Sequence, residues 1–534
     1  MANRTRRRSV CTRREFLTTV AGAAAALAGL ATPRGARGAA PAVSRGTQDV
    51  VMGIGTDVVT MDTRVMMSVP AESQILHVEE PLVFASNDGK QLNILAGAWE
   101  PSTTPPGWRV RLRPGIKFDN GEPFTAQSVK VTVESITAEE NRSWVAGEPR
   151  TLLSSIKEVK VEDDWTVFLR TEPFFRALPI NTYVRAMLPP KLAAAKGKEF
   201  GVTPSGTGHY RFVEYRPKSH LHLEAKPDYH GFWDGPAKNG SLTFRFLPEN
   251  ATRVAALEAG EVHLIDNLPP DVASRIRGNP NLEVLTSFTN RIMGMYFHGG
   301  RPPFTNLKAR LAVTYAIDRE AIVSKIMGGM TEVVNQPFPP GTLGVGGEKF
   351  APYPYDPKKA KQYFAEAGLT NGAKIKLGGP VGRYTNDRQV VTAVAGMLAD
   401  VGFDPQLEQL EWGSFWAKAT PGYYDLFYVG WTTRGYDPVD FKAVYAGWSE
   451  DNAGATHFVE HNKRVVELYE LANRTTSQQE AERHYKELAH LLWDNVPQAF
   501  LFYEPNIFGV SKKLKGYVPR RDTYIFLWNA FLNR

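Results

Sequence analysis

The sequence predicts a mixed α/β fold divided into two or three substructures. Segments with the period-two alternation of strands are interleaved irregularly with capped helical segments. At 534 residues the chain exceeds what one hydrophobic core serves. Gly and Pro are spread throughout, and neither an internal repeat nor a low-complexity linker marks a boundary.

The chain opens on Thr12-Arg13-Arg14-Glu15-Phe16-Leu17, which resembles a twin-arginine export motif. An alanine-rich apolar run follows from Thr18 to Ala31. Gly38-Ala39-Ala40 and Ala40-Pro41-Ala42 then offer small residues of the kind a signal peptidase reads. Residues 1–40 are read as a twin-arginine signal peptide, cleaved near 40–42. The run is short for a membrane anchor. The only cysteine, Cys11, precedes the apolar run, so no disulfide is expected in the mature chain. Charge points the same way. The chain has 63 basic and 56 acidic side chains, and setting aside residues 1–40, with eight arginines and Glu15, leaves 55 of each. A mature chain of zero net charge loses the main argument for a nucleic-acid partner.

Within the mature region, Trp108, Val110 and Leu112 alternate with Arg109, Arg111 and Arg113, the pattern of a strand with one buried face. Pro114-Gly115 turns the chain, Ile116 and Phe118 predict a second short strand, and Asp119-Asn120-Gly121 turns it again. Thr125 stands as N-cap of a helix burying Val129, Val133 and Ile136. Further on, Leu307, Leu311 and Tyr315 share a helical face, and Asp318 caps the helix Arg319–Met327. Asp356-Pro357 starts a helix that ends at Gly368. Ser477 with Glu480 predicts a capping box on a long helix stopped before Pro497.

Several of these segments resemble family 5 of the extracellular solute-binding proteins, receptors of peptide- and nickel-type ABC importers. The wording Trp108–Val129 (WRVRLRPGIKFDNGEPFTAQSV) is similar to the family's signature strand, Gly-(Val/Ile)-Lys-Phe turn and Pro-Phe-Thr-Ala helix start. Thr60-Met61-Asp62, Gly206-Thr207-Gly208-His209-Tyr210, Lys226-Pro227-Asp228-Tyr229, Ala251–Leu264 and Pro303–Ile322 resemble other family segments. The resemblance runs over roughly residues 50–530.

It implies a two-lobed periplasmic binding protein-like fold (class II) with an extra inserted subdomain. By analogy, lobe I would combine residues 48–78, 207–288 and 500–534, the insert would occupy 79–206, and lobe II 289–499. The implied function is capture of a small solute (peptide-like, opine-like, sugar or other polar compound) in the periplasm and delivery to ABC permease subunits. Closure would be a population shift, since the solute touches both lobes only when they are shut. Two alternatives stay open: an exported metal-dependent hydrolase and a chemosensory receptor.

Tyr423–Trp431 followed by Thr432-Thr433-Arg434-Gly435-Tyr436-Asp437-Pro438 resembles the family's strand, Gly-Trp and Asp-Pro loop at the cleft. Trp431, Thr433, Arg434 and Asp437 are therefore candidate ligand contacts, with Trp431 supplying a broad apolar surface or packing between the lobes. Dipeptide-binding relatives carry an aspartate three residues after this tryptophan, where Arg434 stands here. A guanidinium suits a carboxylate, a phosphate or a row of sugar hydroxyls. The alternative is that Asp437 or Asp440 neutralises Arg434 internally. His298, in Tyr296-Phe297-His298, either lines the cleft or is structural. Asp57, Trp412 and Phe415 complete the candidates, each at the cleft or in the core.

Two histidine patterns bear on metal. His220-Leu221-His222 places two imidazoles on the outward face of a strand without a third ligand nearby. His457-Phe458-Val459-Glu460-His461 has inverted zinc-protease spacing, but Gly454 and Asn462 argue against one continuous helix there. No nucleophile elbow, phosphate loop or cofactor fingerprint occurs, so neither a cofactor nor a catalytic residue is expected. Replacing Arg434 by alanine is expected to weaken binding of the cognate solute in calorimetry. Unchanged affinity would assign Arg434 to an internal pair.

Overall fold

The computed structural model describes residues 49–533 apart from 59, 66–68, 146–149, 151–152, 182–184, 346–347, 349, 420, 434–435 and 446–462. The export segment, Arg434 and the His457–His461 pattern lie outside the described residues.

The strands, in chain order, are β1 Asp49–Ile54, β2 Val83–Ala85, β3 Gln91–Asn93, β4 Ala96–Thr103, β5 Pro106–Leu112, β6 Ile156–Asp163, β7 Thr166–Thr171, β8 Tyr210–Arg216 and β9 His220–Ala225. They continue with β10 Ser241–Phe246, β11 Leu264–Ile265, β12 Leu282–Phe297, β13 Ala373–Val381, β14 Phe403–Glu411, β15 Leu426–Thr432, β16 Gln498–Ser511, β17 Leu514–Lys515 and β18 Phe531–Leu532. Ten of them form one mixed sheet in the order β14-β13-β15-β12-β16-β11-β1-β10-β9-β8. A separate four-stranded sheet has the order β4-β5-β7-β6.

The middle of the large sheet is the antiparallel pair β12 and β16, of 16 and 14 residues. Leu282–Phe288 of β12 pairs with one half of β16, and Ile292–Tyr296 pairs with the other half while also bonding β15. Two buried apolar clusters flank this pair. The first gathers β1, β5, β7, β9, β10, the helix Ala126–Thr137 and the C-terminal Tyr524, Leu527 and Trp528. The second gathers Met293–Phe297, β13, β15 and the helices Leu307–Ala316, Asp387–Ala399 and Gln478–Asn495. The β4-β5-β7-β6 sheet has no core of its own. Its Val110, Val159, Val167 and Leu169 pack into the first cluster.

Local signals set many of these elements. Thr125 and Ser128 form a reciprocal capping box, and Val129, Val133 and Ile136 are buried beneath that helix. Asp356 accepts from the amides of Lys358 and Lys359, and Asp318 from that of Ala321. Three expectations are corrected. Ile116 and Phe118 are buried but form no strand, because Lys117 makes only a single bridge to Pro123 inside a loop folded on itself. Leu307 is exposed; Tyr315 is buried and Leu311 packs partly on the second cluster, and the helix also buries Ala309, Ala312, Val313 and Ala316. Ser477 accepts from the amide of Glu480, but the Glu480 carboxylate accepts from Thr475 Oγ1 and leaves the box half made.

One core histidine is fixed as neutral. His77 Nδ1 donates to the carbonyl of Ser73 at 2.7 Å, so Nε2 accepts from the amide of Leu527 at 3.1 Å. Burial among aromatic rings lowers its pKa to about 3. The unfolded chain takes up this proton below about pH 6.5 and the folded chain does not, so stability falls as pH drops from there toward 3. His77→Gln removes that term. The stability gap between the wild type and this variant, read from urea melts, is expected to narrow by about 1.4 kcal/mol per pH unit below 6.5.

Candidate functional site

β13 runs parallel to both β14 and β15, and the three end side by side at Val381, Glu411 and Thr432. The carboxyl edge of parallel strands is where loops can converge on a ligand without interrupting the ladder. Here the loop 382–386 meets Trp412, and Trp431 stands near the end of β15. Arg291, on the adjoining β12, pairs in register with Thr432 and joins the same edge.

The irregularity of the central strand pair lies at this edge. Phe288 is opposite Pro505 and Ile292 opposite Tyr503, so Thr289, Asn290 and Arg291 bulge against the single residue Glu504. The amide of Arg291 donates to Thr289 Oγ1 at 3.0 Å, and that of Asn290 to the carbonyl of Arg521 at 2.6 Å. Arg291 Nε meets the Glu504 carboxylate at 2.9 Å, with both side chains largely buried. Gly430 gives the arginine its path, because a Cβ there would stand 2.7 Å from Arg291 Cδ and would also collide with Met293 Sδ.

Asp387, at the start of its helix, shapes the neighbouring loop. Its carboxylate accepts the amides of Gly382, Arg383 and Tyr384 at 3.1, 2.8 and 3.1 Å. The loop so folded lays the Arg383 guanidinium 5.0 Å from the Tyr384 ring and 5.2 Å from the Trp412 ring. Trp412 meets Tyr384 edge-on and stacks on Trp416 at 5.2 Å. Burial raises the pKa of the Tyr384 phenol, and the charges of Arg291 and Arg383 only partly oppose it. Among the described residues no carboxylate stands within ion-pair distance of Arg383, which is exposed at the rim. The edge therefore presents an aromatic floor, a neutralised Arg291–Glu504 pair and a cation open to an incoming anion.

Of the residues singled out in the sequence, Trp431, Thr433, Asp437 and Trp412 lie at or beside this edge. Trp431 is half-buried and donates Nε1 to the carbonyl of Asp440 at 2.8 Å. Thr433 is buried. Asp437 is buried and engaged, its carboxylate accepting from the amide of Val439, the Tyr485 hydroxyl and Arg176. Phe415 is wholly buried beneath Trp412, as the core alternative had it. His298 follows the far end of β12, next to the N-terminal end of β15, and so sits on the opposite edge from Trp431. Asp57 accepts from the Tyr215 hydroxyl at 2.8 Å and the Lys218 amide at 2.7 Å, anchoring the β8–β9 hairpin. His220 and His222 turn to Glu214 and Thr243. The sequence reading missed Arg291, Arg383, Tyr384 and Glu504. A signal for two of them existed: Gly382-Arg383-Tyr384 follows an apolar strand and precedes Asp387 at helix-start spacing.

Comparison with known proteins identifies the family of the chain. The sequence model of the bacterial extracellular solute-binding proteins, family 5 (middle part), matches residues 92–453. The chain belongs to that family. Members bind a solute for an ABC importer and do not transform it, so the chain is not an enzyme. It is 28% identical over 496 residues to the glutathione-binding protein GsiB of Pectobacterium atrosepticum, covering 91% of this chain and 94% of that protein. GsiB of Escherichia coli K12 is 26% identical, with 89% and 93% covered. Among solved structures, the binding protein AgaA of A. tumefaciens R10 in complex with agropinic acid superposes with a TM-score of 0.75 at 23% identity, covering 91% of this chain and 99% of that one. A dipeptide-binding protein from Pseudoalteromonas sp. SM9913 in complex with Met-Leu gives 0.76 at 21% identity, with 91% and 100% covered. These likenesses show the family 5 binding-protein fold.

Proposed function

We propose that this protein captures a small peptide-like solute bearing at least one carboxylate, at the edge formed by Arg383, Tyr384, Trp412 and Trp431, and hands it to an ABC permease. The observation that carries the reading is Arg383. Its guanidinium is spread over two aromatic rings and has no acid beside it among the described residues, whereas Arg291, a short distance along the same edge, already has Glu504. A planar fork held in place by an Asp387-shaped loop takes a carboxylate in two parallel hydrogen bonds at low ordering cost. The aromatic rings accept the apolar part of the solute.

Glutathione, with two carboxylates and one amine, has the right chemistry and is what the GsiB relatives are named for. It is the first solute to try. The two apolar clusters act as lobes hinged at the bulge of β12, with residues 79–206 riding on the first. The site of action is the periplasm, reached by the twin-arginine route with residues 1–40 removed.

Calorimetry on the mature protein is the test. Glutathione is expected to bind with micromolar affinity or better, and Arg383→Ala to weaken it by about tenfold to a hundredfold. An absence of heat with glutathione and with di- and tripeptides, or an unaltered affinity in the variant, would overturn the proposal.

A further inference from the structure

Arg176 lies between β7 and the helix Leu178–Asn181, next to Phe175, which packs on the first cluster. Its polar contacts are nevertheless all with the second. The backbone amide donates to the carbonyl of Asn473 at 2.8 Å, and Nε donates to that of Ala472 at 3.0 Å, both at the end of the helix Lys463–Arg474. One Nη meets the Asp437 carboxylate and donates to the Tyr485 hydroxyl at 3.2 Å. Tyr485 donates in turn to Asp437 at 2.9 Å, and its ring lies 5.4 Å from the guanidinium. Burial works against the charge of Arg176, but Asp437 and Tyr485 more than compensate and hold its pKa up. A second crossing lies beside it: the Tyr436 hydroxyl donates to the carbonyl of Asn87 at 2.9 Å.

Asp437 does more than pair. It caps the short turn Pro438–Phe441 through the Val439 amide, and that turn offers the Asp440 carbonyl to Trp431. We propose that Arg176 is a positioning residue for solute capture: by pairing with Asp437 it clasps the first cluster to the second and holds the turn that supports Trp431. The proposal rests on the reading of the two clusters as lobes that move. An ion pair suits a reversible clasp, because two charges that regain water on opening lose little net free energy, whereas the shut form excludes water around them. The equilibrium then stays within reach of a solute's binding energy.

Cys11 is the only cysteine, so the mature protein is free of background thiols for spin labelling. Labels at Lys160→Cys, exposed on β6, and Lys486→Cys, exposed on the helix Gln478–Asn495, report the separation of the two sides by pulsed electron paramagnetic resonance. Without any added solute, Arg176→Ala is expected to enlarge the longer-distance population at the expense of the shorter one, relative to the parent. Asp437→Asn is expected to do the same, the two together to add nothing further, and Arg176→Lys to restore most of the short distance. Should Arg176→Ala fail to fold, Arg176→Gln carries the same comparison. A distance distribution identical to the parent's, even with a lowered melting temperature, makes Arg176 merely structural and overturns the proposal. No solute enters this experiment, so its failure is distinct from a failure of the glutathione reading.

Discussion

The structure turns on one constraint: two long strands must serve two cores at once. β12 and β16 bond to each other along almost their whole length; β16 sends Phe508 and Val510 into the first cluster and Ala499, Leu501 and Phe502 into the second, while β12 gives Met293, Met295, Tyr296 and Phe297 to the second and packs Leu285 on the first. A continuous ladder would make the pair a stiff rod. The bulge at Thr289–Arg291 interrupts it where the cores meet, and the Arg291–Glu504 ion pair closes the gap. Such a pair is costly to break one side at a time, because the survivor is left charged and poorly hydrated. It therefore fixes the register of the strands on both sides of the bulge. Gly430 is part of the same arrangement, since no other residue leaves room for the arginine to cross β15.

The binding edge follows from this placement. Parallel β13, β14 and β15 deliver their loops to the level of the bulge, so the edge proposed to hold the solute sits beside it. On the proposed two-lobe reading, small rotations at the bulge would close the site without disturbing either core, where side chains are packed too tightly to deform gradually. Asp387 and Asp437 have matching roles on the two sides of the edge. Asp387 accepts three backbone amides of the loop that carries Arg383 and Tyr384, and Asp437 accepts the Val439 amide of the turn whose Asp440 carbonyl holds Trp431. The rigidity is bought locally, which lowers the ordering cost when a solute arrives.

Much of this was legible in the sequence where the signal is local. The capping residues Thr125, Asp318 and Asp356 need only their own amides three or so residues on, and all act as the spacing predicts. Val110 and Leu112 alternate with arginines because one face of β5 is covered. Trp431 is proposed for the cleft by family wording, and Trp412 stands only as a cleft-or-core candidate. What failed was non-local. Arg291 and Glu504 come from strands far apart in the chain, and nothing near either residue announces the other. Asp57 and Asp437 read as candidate ligand contacts in the sequence, and their partners Tyr215 and Arg176 come from distant segments. His298 follows the other end of β12 from Trp431, in line with its structural alternative, and only the antiparallel pairing of β12 with β15 reveals that placement.

The central claim is that solute capture turns two intact cores about the β12–β16 bulge. Small-angle X-ray scattering of the mature protein across a glutathione titration, run beside calorimetry on the same samples, tests it most directly. The account predicts a more compact profile that tracks the calorimetric saturation and fits a rigid rotation of the two cores. A profile that stays the same while heat reports full occupancy would contradict it.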